Sequence, residues 1–83
     1  MDIEVVEVVP GELDVRADGR THRVLIPAGV GVPGLDDEDL AGGVVAELLA
    51  RGVRPPDVLD VSGLLRTDPG LLDAVAERIE ADG

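Results

Sequence analysis

The groups available for chemistry in this chain are one imidazole (His22), one serine (Ser62), two threonines (Thr21 and Thr67), seven arginines and eighteen carboxylates. Lys, Cys, Phe, Tyr, Trp, Asn and Gln are absent. That removes a thiol nucleophile, a lysine Schiff base and a thiolate metal site. It also removes the aromatic platforms on which single-stranded bases stack. The inventory is poor for catalysis, and the chain is expected not to be an enzyme.

His22 is the side-chain type suited to proton transfer near neutral pH. The alternation around it places Val15 opposite, with no acid beside it to orient or activate the ring. A packed or rim histidine is the expectation, not a general base. As a metal ligand it would need carboxylates for all its companions.

Asp36-Asp37-Glu38-Asp39 could attract a hard cation, which prefers carboxylate oxygens. The run lacks the D-x-[DN]-x-[DN]-G spacing of a calcium loop. Four successive helical residues also point in different directions and do not converge on one ion. These acids are expected to open a helix, where one caps the free N–H groups and the others complement the positive helix end. No metal and no cofactor are expected.

Gly29-Val30-Gly31-Val32-Pro33-Gly34 fits G-x-G-x-x-G between a predicted strand and a predicted helix, the setting of a dinucleotide fingerprint. There the pyrophosphate sits on the helix N-terminus. Here four carboxylates occupy that place, and Pro33 removes an N–H from the cradle. The strands before it read as a meander and not as part of a parallel βαβ unit. A loop is the expectation.

Asp60-Val61-Ser62-Gly63-Leu64 is similar over these five residues to the attachment site of acyl carrier proteins. Those proteins carry Asp-Ser-Leu in direct succession at the start of a long helix. Here Val61 intervenes and the chain before it reads as strands, so Ser62 is expected to be an ordinary helix-surface residue.

The elements that must position these groups follow from periodicity. Residues 3–9 are rich in β-branched side chains, and Pro10-Gly11 is a turn signal. Leu13, Val15 and Ala17 alternate with Asp14 and Arg16, the pattern of a half-buried strand. Asp18-Gly19 signals a type I′ hairpin turn, which needs positive φ at both central residues. Thr21 to Ile26 returns, with Ala17 facing Arg20, Val15 facing His22 and Asp14 facing Arg23. Residues 27–35 form a loop.

A first helix is predicted from Asp36 or Asp37 to Arg51. Its stripe is Leu40, Val44, Val45, Leu48 and Leu49, and Gly52 ends it. Gly42-Gly43 inside it disfavours helix by roughly 1 kcal/mol per glycine relative to Ala, unless a strand or another helix comes close there. Asp57 is expected to cap a second helix bearing Val58, Val61, Leu64 and Leu65, with Asp60 in its first turn. A third is predicted to start at Thr67 or Asp68, with Pro69 at the first helical position. Its stripe is Leu71, Leu72, Val75, Ala76 and Ile79. Residues 1–83 thus read as a single α+β domain: an N-terminal three-stranded antiparallel meander followed by three helices packed on one face.

Charge narrows the partners. Eighteen acids against seven arginines give a net charge of −11, which opposes nucleic acid and anionic membrane surfaces. Val, Leu and Ile supply 14, 11 and 3 of the 83 residues, too apolar a share for a disordered segment. No stretch approaches the ~20 apolar residues of a membrane span. Met1-Asp2-Ile3-Glu4 carries acids where a signal peptide needs cations, so a cytoplasmic location is expected. The expected function is a small acidic protein–protein interaction module, self-association included, with contacts through Val5, Val6, Val8, Val9, Val30, Val32 and Leu35. The alternative is an acidic neutraliser of a basic protein, of the antitoxin or immunity type.

Overall fold

The computed structural model describes residues 3–30 and 34–82, with the side chains of 80–82 outside the description. The N-terminal strands are β1 (Ile3–Val9), β2 (Glu12–Ala17) and β3 (Arg20–Leu25), paired antiparallel in chain order. Asp18 (φ 52°) and Gly19 (φ 76°) both adopt positive φ, as the type I′ turn requires. The register is the expected one: Ala17 faces Arg20, Val15 faces His22 and Asp14 faces Arg23. Gly11 turns β1 into β2 at φ 85°, and a Cβ there would stand 2.9 Å from the Ile26 carbonyl oxygen. That approach lets the Ile26 N–H donate to the Gly11 carbonyl at 2.8 Å.

Helix α1 (Asp37–Ala50) follows the loop. The Asp36 carboxylate accepts from the Asp39 N–H and caps it. Its far end is a Schellman motif: the Val53 N–H donates to the Leu48 carbonyl, the Gly52 N–H donates to the Leu49 carbonyl, and Gly52 sits at φ 77°.

The next element departs from expectation. Val58–Asp60 is not the first turn of a helix but a short strand, β4, parallel to β3 with Val24 opposite Leu59. Asp57 therefore caps nothing. Its carbonyl accepts the Arg23 N–H at 2.7 Å, and Asp60 is the N-cap of α2 (Val61–Thr67), accepting from the Ser62 N–H. Two physical reasons favour the strand. Pro55-Pro56 delivers the chain already extended, and as a strand beside β3 the segment places Leu59 opposite Val24 at 1% exposure. β3–α1–β4 is thus a parallel βαβ unit, which was not expected after the meander, while β1–β3 keep the expected antiparallel order. Helix α3 (Leu71–Asp82) also begins later than expected, because Pro69-Gly70 lies in the turn before it.

The sheet order is β1-β2-β3-β4. Leu13, Val15, Val24 and Leu59 point to its helix-covered face and are buried with Leu40, Val44, Val45, Val61, Leu71 and Val75. The paired glycines of α1 are explained by this packing. A Cβ on Gly42 would lie 3.1 Å from Val5 of β1, and one on Gly43 would lie 2.5 Å from Val75 of α3. One glycine admits the strand and the other admits the helix. The class is α+β, with a three-stranded N-terminal meander as read from the sequence.

Candidate functional site

β1 is one border of the sheet. Its pairing with β2 slips between Glu7 and Val9, leaving Val8 without an opposite residue. A bulge of this kind bends an edge and breaks its regular ladder. Val6, Val8 and Val9 are 61%, 47% and 46% exposed, among the largest exposed apolar side chains described. Val5 is half-buried and packs on the core from the helix side, as does Val30. Leu35 is half-buried in the approach to α1. Val32 lies outside the described residues. Of the seven apolar residues proposed as contacts, the fold thus brings Val6, Val8 and Val9 together on one exposed strand and turns Val5 inward.

His22 is 2% exposed. Its Nδ1 lies 2.8 Å from the Pro56 carbonyl oxygen. A carbonyl only accepts, so Nδ1 carries the proton and Nε2 is the ring's remaining polar atom. The contact joins β3 to the segment that leads into β4, next to the backbone bond from Arg23 to Asp57. His22 thus has a structural partner that no sequence pattern signals. A partly open pocket of about 400 Å³ borders His22, between the β2–β3 turn and the α1–β4 connection. Asp18, Arg20, His22, Leu49, Val53 and Arg54 contribute to its wall. The grouping of Arg20 and Arg54 escapes sequence reading, since only the βαβ crossover brings them together.

The other acids are placed in structural work. Asp36 caps α1. Among the described residues, no three His, Asp or Glu side chains gather in a way that could hold a metal ion. Ser62 is the second residue of α2 and its N–H is held by the Asp60 cap. Across the open face, Asp14 and Glu12 pair with Arg23. Glu47 on α1 accepts from Arg78 of α3 at 2.9 Å and from Arg51 at 3.1 Å, and Arg51 reaches on to Asp68. The Arg78 hydrogen bond is the main reason the Glu47 carboxyl is held below its ordinary range, with the Arg51 bond adding to it and partial burial opposing it.

Among the described residues, no helix is long and apolar enough to cross a membrane. The chain matches no protein-family model, and neither the curated proteins nor the solved structures contain a match to it.

Proposed function

We propose that this chain is a small acidic, non-enzymatic protein–protein interaction module and that the outer edge of β1 is its docking site. The observation that carries the reading is a seven-residue edge strand with Val6, Val8 and Val9 exposed along it. Ahead of the bulge at Val8, the edge of β1 offers a row of backbone donors and acceptors to a second chain, and flanking side chains set the choice of partner. The partner strand comes from another protein or from a second copy.

A second reading shares the observation that acids stand exposed throughout the molecule, including Glu4, Glu7, Asp39, Asp57, Asp73 and Glu77. In that reading the chain neutralises a basic protein, and the charged surface is itself the site.

Light scattering and co-purification at low salt and at about 0.5 M NaCl separate the two, because screening there acts within roughly 4 Å. Two copies at −11 each repel, so a β1–β1 dimer tightens as salt rises. A complex with a basic partner weakens instead. Val6→Lys together with Val8→Lys removes association through β1 and leaves the thermal midpoint unchanged, since both side chains face solvent. If the double variant keeps the same partners and oligomeric state as the parent, docking through β1 is wrong.

A further inference from the structure

We propose that the pocket between the β2–β3 turn and the α1–β4 connection binds a small aliphatic monocarboxylate. Arg20 and Arg54 hold its carboxylate, and Leu49 and Val53 face its carbon chain.

The site is assembled by three separate features of the fold. The hairpin register sets Arg20 opposite Ala17, on the same side of the sheet as His22. The Gly52 turn reverses the chain at the end of α1 and carries Arg54 to the same pocket. The Nδ1 contact with Pro56 fixes the buried His22 ring at the pocket's inner wall.

Charge distribution gives the chemistry of the ligand. Arg23, Arg51 and Arg78 are each paired with carboxylates. Among the described residues, Arg16, Arg20, Arg54 and Arg66 have no such pair, and of these four Arg20 and Arg54 line this pocket together. Two unneutralised guanidiniums on one cavity suit an anion, for which their planar donor forks are shaped. A net charge of −11 and the presence of Asp18 on the wall oppose every further negative charge. A monoanion is therefore favoured over a phosphate dianion. The apolar side chains of Ala17, Leu49 and Val53 give the remainder of a short aliphatic acid an apolar surface. No residue of β1 lines this pocket, so the inference is independent of docking at the sheet edge.

Sodium butyrate titrated into the full ¹⁵N-labelled chain at constant ionic strength tests it, read by amide chemical shifts. The expected result is saturable binding in the millimolar range, with the largest shifts at Arg20, His22, Gly52, Val53 and Arg54. Arg20→Gln and Arg54→Gln each raise Kd at least about tenfold, the effect of losing a charge-assisted hydrogen bond. Both residues are exposed, so the remainder of each variant's spectrum stays unchanged. Arg66→Gln, at an exposed arginine outside the pocket, leaves Kd as it was. Shifts that never saturate, or an equal weakening by Arg66→Gln, overturn the site. Inorganic phosphate binding more tightly than butyrate at the same amides overturns the choice of a monocarboxylate.

Discussion

β1 and β4 border the same sheet, yet β1 is seven residues long and β4 is three. The longer strand is the less buried. None of its side chains is buried, and it rests on α1 through the half-buried Ile3 and Val5. The short strand carries Leu59, which is 1% exposed, and the chain just before it is held to β3 through Pro56 and Asp57. Origin accounts for the contrast. β1 joins β2 through a tight turn, so its backbone ladder forms at small entropic cost. β4 returns to the sheet after the whole of α1, and three residues of ladder do not offset that closure without a buried anchor. The outcome is one border committed to the core and one that keeps Val6, Val8 and Val9 exposed.

The sharpest way to break this contrast is to remove the anchors. Leu59→Ala is expected to cost about 2–5 kcal/mol, as large-to-small changes in a packed core do. Val5→Ala removes half-buried methyls and is expected to cost about 1 kcal/mol. Urea denaturation measures both, and equal costs would show that the two borders are held alike.

Next in size are the glycines of α1. Either Gly→Ala change gains roughly 1 kcal/mol of helix propensity. At Gly43 the new Cβ would stand 2.5 Å from Val75, inside the core, and overpacking of that kind costs about 1–3 kcal/mol. At Gly42 it meets a methyl of the half-buried Val5 at 3.1 Å, a contact relieved by a shift of a few tenths of an ångström. Gly43→Ala is expected to lower the thermal midpoint, and Gly42→Ala to leave it near its original value. A stabilised Gly43→Ala would mean that α3 yields as readily as β1.

The smallest effect concerns a contact that serves both borders. Glu47 holds α3 against α1, the helix that supports β1 and leads to β4. Its carboxyl is held below the ordinary range in the folded chain, first by the Arg78 hydrogen bond. A depressed folded value means that the contribution is complete above the unfolded carboxylate range, near pH 4.3, and is lost as pH falls through the folded value. Solvent around Arg51 and Arg78 keeps the effect modest. Glu47→Gln is expected to be less stable than the parent at neutral pH, with the two converging in acid. Parallel curves from neutral to about pH 3 would remove Glu47 from the account.

Elements specified by neighbouring residues were legible in the chain. Asp18-Gly19 and the alternation on either side set the hairpin register, because a two-residue turn allows one pairing that keeps Leu13, Val15 and Val24 on the same face. Asp36 and Gly52 marked the limits of α1, because capping and the left-handed terminator act within one turn. β4 was not legible. Three residues show no period, and Asp57 and Asp60 fit a helix cap equally well by type. Burial of Leu59 beside Val24 decided between them. The exposed valines of β1 were visible as a run, but their separation from the inward Val5 needed the strand's actual facing.

By itself, the sequence determined the absence of thiol, amine and aromatic chemistry, the acidic surface, the meander and the start and end of the first helix. All of these follow from side-chain type or from interactions a few residues long. Only the tertiary structure decided the parallel β4, the reason for Gly42-Gly43, the partner of His22 and the placing of Arg20 and Arg54 on one pocket. Each depends on residues distant in the chain coming together to bury Leu59 and Val75, and packing between remote elements leaves no local periodicity to read.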